Sequence, residues 1–428
     1  MNILLKLRNM AMILMMGSLV LTSCDDDDDE ETPPPATNQV TIVTDTLRWS
    51  NDQIQNINGR LVIEDGGVLE IEEGTIIKAA AGQGTQASVV VVARGGKIMA
   101  DGTATMPIIF TSSADNIQLG ETAGTNLEKT DNQTWGGVII LGNAPISAED
   151  GNDMTNIEGI PVEAGYGEYG GTDENDDSGI LDYVSIRHGG ISIGEGNEIN
   201  GLTLGGVGNG TTVTNVEVYA TLDDGIECFG GSVNINNALV YYQGDDGIDL
   251  DMSYSGTISN FAVIHGDGIG TDESLEIDGP ENDANPDGKF TLNDGVCIVE
   301  GADGSAADLK SGAQGTVMNV TFTSGDKEVK FRTRFIGSET NMDCEHRSDA
   351  YTNLIANPAD LVFIETSMTG GIEVYDGDED DENPTVCPTS LTDAQQTAEG
   401  IIPTAGLGST IDPATLFSWT LAGERGEL

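Results

Sequence analysis

The segments "VTNVEVY" from Val213, "INNALVY" from Ile235 and "ISNFAVI" from Ile258 recur at spacings of 22 and then 23 residues, with Asn215, Asn237 and Asn260 in register. No other feature restricts the fold so tightly. A period this short holds three short alternating strands, and a unit that small cannot bury its own apolar side, so successive units must stack to make a core. The expected fold is all-β: a right-handed parallel β-helix, or solenoid, in which each repeat is one coil and neighbouring coils lie about 4.8 Å apart. Asparagine suits the corner between strands because it accepts a left-handed backbone, and amides stacked coil upon coil can hydrogen-bond along the ladder. A β-propeller blade needs about forty residues and four antiparallel strands, which this spacing does not supply.

Weaker copies of the turn-then-strand pattern begin at Gly66 ("GGVLEIEEGTIIK"), Gly179 ("GILDYVSIRHGG") and Gly315 ("GTVMNVTFTSG"). The β-helix is therefore expected over 41–345. Beyond it, over 346–428, the register dissolves into a less regular, capping segment. Cys344 and Cys387 flank the acidic stretch "YDGDEDDENP", and a disulfide between them would close a loop worth on the order of 4 kcal/mol in the chain-entropy description. Cys228 in "GIECF" and Cys297 in "GVCIV" fall at inward positions, which suits buried thiols.

The amino terminus has the grammar of an export signal over residues 1–23: Lys6 and Arg8 precede an apolar run from Met10 to Leu21 that is too short to span a bilayer. "LTSC" resembles the lipobox of bacterial lipoproteins, which implies a lipidated Cys24. Residues 24–40 then form an acidic and proline-rich tether that holds too little apolar surface to fold. An acidic run directly behind the lipidated cysteine resembles the export signal of surface lipoproteins in Bacteroidetes, and so implies an outer-membrane protein displayed on the cell surface.

The chain carries 17 basic and 72 acidic side chains; loss of residues 1–23 would remove two of the basic ones and no acid. Such a field repels nucleic acid and anionic polymers and concentrates divalent cations, of which calcium is the obvious one outside a cell. The glycine-rich "GEGNEING" and "GGVGNG" do not open a helix, so no nucleotide cradle is expected. His188 and His346 lack partners at metal-ligand spacing, which argues against a transition-metal site.

Several ordered blocks resemble an extracellular parallel β-helix family of Bacteroidetes lipoproteins: "WGGVIILGNAPI" from Trp135, "YGGTDENDDSGILDYVSIRHGG" from Tyr169, "INGLTLGGVGNGTTV" from Ile199, "DDGIECFGGSV" from Asp223 and "DDGIDLDMSYSG" from Asp245. The resemblance implies a pectate-lyase-like fold and no settled activity.

Stacking the repeats has a chemical consequence. With Ile226, Cys228, Ile248, Leu250, Leu275 and Ile277 turned inward, Glu227, Asp249, Asp251, Glu276 and Asp278 face outward as an acidic ladder, with Glu227, Asp249 and Glu276 within about 5 Å of one another. Like charges that close raise each other's pKa or recruit a cation. A calcium-bridged face is one reading. A second calcium candidate is "DANPDGKFTLND", whose order places Asp283, Asn285, Asp287, the carbonyl of Lys289 and Asp294 at the spacing of a calcium loop; the same residues also suit a plain polar turn. A catalytic reading competes, because "LDDGIE", "QGDDGI" and "HGDGIG" resemble the acidic and histidine segments of polygalacturonases. That resemblance implies Asp246 as general acid, Asp224 and Asp245 as bases and His265 as an orienting partner. The basic substrate-binding segment of those enzymes has no convincing copy, and an acidic face suits polyuronates poorly. The expectation is a calcium-stabilised, surface-anchored scaffold that binds glycans or a cell-surface partner, with a polysaccharide-cleaving glycoside hydrolase as the alternative.

Overall fold

Residues that alternate inward and outward over three to five positions, then meet a corner, lay down one coil after another. The computed structural model describes residues 39–82, 84–194, 197–266, 270–299, 305–333, 350–375, 397–398, 400–402 and 407–428. The signal segment, Cys24 and nearly all of the tether, together with Cys344 and Cys387, lie outside the described residues.

Three parallel sheets run the length of the solenoid. The first is built from Val40–Val43, Arg60–Ile63, Val89–Val92, Val138–Leu141, Leu202–Gly205, Ile226–Phe229, Ile248–Asp251, Leu275–Ile277 and Ala307–Leu309, each paired in parallel with the next. The second and third sheets share long bent strands: Gly179–Arg187, Thr212–Tyr219, Asn234–Tyr241, Thr257–Ile264 and Phe290–Val299 each give their first half to one and their second half to the other. A single residue makes the bend. Tyr183, Asn215, Asn237, Asn260, Asp294 and Asn319 all sit there with φ between 49° and 58°. This is the left-handed corner expected of the repeat asparagines, and the amide ladder forms in part: Asn237 Nδ2 donates to Asn215 Oδ1 at 2.9 Å, whereas Asn260 Nδ2 turns to Asn236 Oδ1 at 2.8 Å.

One continuous apolar core fills the coil interior and includes Ile226, Cys228, Ile248, Leu250, Leu275, Ile277 and Cys297. Each fully buried aliphatic side chain contributes roughly 1.5–3 kcal/mol, so every coil is held chiefly by its inward residues. Cys228 and Cys297 are buried free thiols, as their inward positions suggested. Trp135 is also fully buried, stacked on Phe110 with centroids 6.5 Å apart and donating from Nε1 to the Arg187 carbonyl.

The register continues past the boundary expected at 345. Leu361–Ile364 and Ser367–Tyr375 pair in parallel with Gly315–Thr333, so another coil follows. Gly315 meets Leu361 across 46 residues, and an insertion of that size hides the period from a search for repeats.

The last residues strap the flank of the solenoid. Phe417, Leu421 and Ala422 pack with Tyr219, Leu239 and Tyr241 on the outer side of the third sheet. Fully buried Glu217 fixes the helix Leu421–Arg425 by accepting from the N–H groups of Leu421 and Ala422, both at 3.0 Å. The Ser185 hydroxyl donates to the same carboxylate at 2.5 Å, and Arg187 Nε lies 3.8 Å away.

Candidate functional site

The acidic site grows from the corner that leads into the first sheet. In "DDGI" the glycine lies where a Cβ would strike the core: one added to Gly225 would come within 2.3 Å of Val240 Cγ1, and one on Gly247 within 2.4 Å of Val263 Cγ1. The isoleucine that follows enters the core, so the next acid must face outward. Register then does the rest. Glu227 pairs with Asp249, Asp249 with Glu276 and Glu276 with Asp308, which makes one vertical column of carboxylates. Asp251 pairs with Phe229 in a neighbouring column, and Asp278, one place beyond the Leu250–Ile277 pair, is the acid that acts most strongly on it.

These acids face outward, yet Glu227, Asp249 and Asp308 are buried and Asp251, Glu276 and Asp278 are half-buried. The chain between Val138–Leu141 and Leu202–Gly205 folds back over the first sheet: Ile146 and Tyr169 pack on Phe229, Ser147 N–H donates to the Met252 carbonyl, and the Asn282 N–H donates to Ser147 Oγ. Glu227 is left 6 % exposed and Asp249 8 %. The open acidic flank expected from the sequence is therefore a covered cleft, with Asp245 and Asp272 at its exposed rim.

Among the described residues, three triads in the cleft bring carboxylate oxygens within 4.8 Å of one another: Asp223, Asp224 and Asp245; Asp224, Glu227 and Asp249; Asp246, Asp249 and Glu276. Asp224 and Asp249 each belong to two triads, so they stand where bridging ligands would. Burial, then repulsion from neighbouring acids, pushes the carboxyls of Asp224, Glu227, Asp246, Asp249 and Asp251 well above the usual carboxylate range. The same causes raise Asp223 to about 8 and Asp245 to about 6. Among the described residues the cluster's ion pairs come from one cation: Lys310 bonds Glu276 and lies 3.5 Å from Asp278. Its ammonium is desolvated, but Asp278 and Glu276 outweigh that and hold it charged.

A packed group of buried carboxylates can be neutralised by protons, by an ammonium or by a metal. Two observations fit a hard cation. Among the described residues Asp249 Oδ1 has no hydrogen-bond partner, and neither does the oxygen of fully buried Asn200, whose amide nitrogen donates to Glu227. Calcium takes six to eight oxygens from flexible carboxylates and carbonyls, and this donor set consists of oxygen alone.

The residues named by the polygalacturonase resemblance are close neighbours along the stack with different employment. Asp224 Oδ1 accepts from the Asp246 N–H at 2.8 Å, and Asp246 Oδ1 accepts from the Glu273 N–H at 2.6 Å, so each carboxylate ties its coil to the next. His265 is fully buried, with Nε2 2.6 Å from Ser274 Oγ, and burial pushes it down to about 3. A group so enclosed and neutral does not reach a substrate in this arrangement.

The calcium loop expected over 283–294 does not close on itself. Asp283 and Asp287 are exposed in a turn, but Phe290–Val299 is strand, and Asp294 is the left-handed corner between the second and third sheets. Its carboxylate accepts from Ser409 Oγ and the Thr410 N–H, at 2.7 and 2.9 Å, and these bonds outweigh burial to hold it below the usual range. Lys289 is engaged with Asp360 at 2.6 Å. A twelve-residue loop needs its last ligand to return to the first; here the strand carries it away.

Asp223, Asn200 and Lys310 belong to the site without having been singled out from the sequence. Asp223 was legible as the first acid of "LDDG". Lys310 was not, because Ile277 meets Leu309 across 32 residues, well outside the 22-residue period.

In comparisons with known proteins, the model of a family described as a pectate-lyase-like β-helix domain matches residues 41–352. No curated protein and no solved structure matches.

Proposed function

We propose, given that this chain belongs to the pectate-lyase-like β-helix family, that it is a binding scaffold whose coils are pinned together by calcium in the carboxylate cleft. Its partners are glycans or a cell-surface protein. It is held at the outer membrane, on the cell surface, through a lipid on Cys24 and the acidic tether, the reading that the lipobox and acidic run support. The observation that carries the metal is the column Glu227, Asp249 and Glu276, with an oxygen on buried Asp249 that has no partner among the described residues. Calcium would be held by the triads, where it neutralises Asp223, Asp224, Glu227, Asp246 and Asp249, which form no ion pair with Lys310 among the described residues.

A scaffold accounts for the site better than a hydrolase does. Glycoside hydrolysis asks for one protonated and one ionised carboxyl open to the bond between them. Asp224 and Asp246 are 7 % and 5 % exposed and cap the next coil. Asp245 alone of that group is exposed, and its raised pKa is the feature that keeps the enzymatic reading in play.

Calorimetric titration of the metal-stripped chain with calcium at neutral pH tests the scaffold, with Asp249→Asn as the control. Saturable binding weakened at least tenfold by the substitution supports it. Absence of binding at millimolar calcium overturns it. Release of new reducing ends from neutral or acidic glycans, abolished by Asp246→Asn, would instead establish the hydrolase.

A further inference from the structure

A second concavity lies on the same side of the solenoid, at the corner that leaves the first sheet, several coils before the acidic cleft. Its cavity is about 450 Å³, within the usual range of small-molecule sites. Consecutive coils supply the floor: Glu64 and Asp65 follow the strand Arg60–Ile63, and Arg94 follows Val89–Val92. The insertion that covers the first sheet supplies the facing wall through Tyr166 and Glu168.

The wall is fixed before any ligand arrives. Arg94 donates to Glu168 Oε2 and to the Gly170 carbonyl, both at 3.0 Å. The Tyr166 hydroxyl accepts from Arg60 at 3.2 Å, and Arg60 also donates to the Gly159 carbonyl. Preorganised planar groups of this kind lower the ordering cost of binding. Gly165 leaves the wall open, since a Cβ there would meet nothing within 4 Å.

Charge sets the ligand class. Arg94 is already paired with Glu168, while the carboxylates of Glu64 and Asp65 make no hydrogen bond or ion pair among the described residues. The cavity thus offers two unused acceptors, an aromatic wall and a net negative charge. Such a lining takes hydroxyl or ammonium donors and repels carboxylated ligands.

We propose that this cavity is a saccharide site for a neutral or amino sugar unit and excludes uronates. The assignment rests on the glycan-scaffold reading and places its ligand contact away from the metal cleft. The test uses the full chain in calcium buffer, with galactose, glucosamine and trigalacturonate as probes in saturation-transfer NMR and calorimetry. A neutral or amino sugar is expected to bind, and the double variant Glu64→Gln with Asp65→Asn to weaken it at least tenfold while leaving calcium-dependent melting unchanged. Preferential binding of trigalacturonate, or loss of calcium binding in the double variant, overturns the assignment. If a polysaccharide is retained equally by wild type and double variant, the cavity is wrong and the scaffold stands. If wild type retains no glycan and binds none of the probes, the cavity assignment and the glycan part of the scaffold reading both fall.

Discussion

Withdrawing calcium at two pH values probes the carboxylate cleft most directly. The perturbation is a chelator added to the full chain at pH 5 and at pH 8. In the metal-free fold Asp223 titrates at about 8, against 3.8 for an unperturbed aspartate, because burial and Asp245 disfavour its charge. At about 1.4 kcal/mol per pH unit, holding that one group ionised at pH 8 costs the metal-free fold on the order of 5 kcal/mol. The sign follows from the direction of the shift. A carboxyl raised in the folded state leaves stability intact below its unfolded pKa, near 4, and removes it as pH climbs through the folded value. Glu158, raised to about 7 by burial, acts the same way, as do Asp224, Glu227 and Asp249. A bound cation reverses the penalty, adding about 2.7 kcal/mol when present at a hundred times its Kd. Protons compete for the same oxygens at pH 5, so the ion contributes little there. Thermal unfolding should show the chelator lowering Tm by about 3 °C at pH 8 and by about 1 °C or less at pH 5. A chelator effect of equal size at both values, or a metal-free protein more stable at pH 8 than at pH 5, would refute the reasoning.

Three further outcomes are expected. Glu217→Ala leaves Arg187 buried without its counter-charge and frees the N–H groups of Leu421 and Ala422; urea unfolding should show a loss of about 3–5 kcal/mol, and trypsin should cut after Arg425 far faster than in wild type. A variant as stable and protease-resistant as the parent would show that the strap is held by its apolar contacts alone. Lys310→Met removes the cation beside Glu276 and Asp278, so the metal-free protein should lose on the order of 2 kcal/mol at pH 7 and gain more from calcium than wild type does; an unchanged calcium response would place Lys310 outside the charge balance of the cleft. Cys228 and Cys297 are fully buried and their thiols are pushed up by desolvation, so an aromatic disulfide reagent at pH 8 should label neither until denaturant is added. Prompt labelling of the native protein would contradict that packing.

What a short period can reveal, this chain revealed. The 22- and 23-residue spacings were enough to place Ile226 above Ile248 and Glu227 above Asp249, because parallel pairing in a stacked coil converts sequence distance into vertical contact. The left-handed asparagine corners were legible for the same reason: residues at equal places in equal coils meet equal backbone demands. The logic failed wherever coils are unequal. Lys310 beside Asp278, and the coil formed by Leu361–Ile364 and Ser367–Tyr375, lie across spacings that no short repeat encodes. Asp294 shows the opposite error, since a local motif suggested a loop while the stack used that aspartate as a corner.

Alternation along a strand told which way each acid faces, and nothing in it told whether water would be there. That was decided by the excursion between Leu141 and Leu202, which returns over the first sheet through Ile146, Ser147 and Tyr169. Direction is a local property of the pleat, with a period of two residues. Burial depends on how distant segments fold back, and it is burial that turns a row of ordinary aspartates into a cleft whose carboxyls must share protons, an ammonium or a metal.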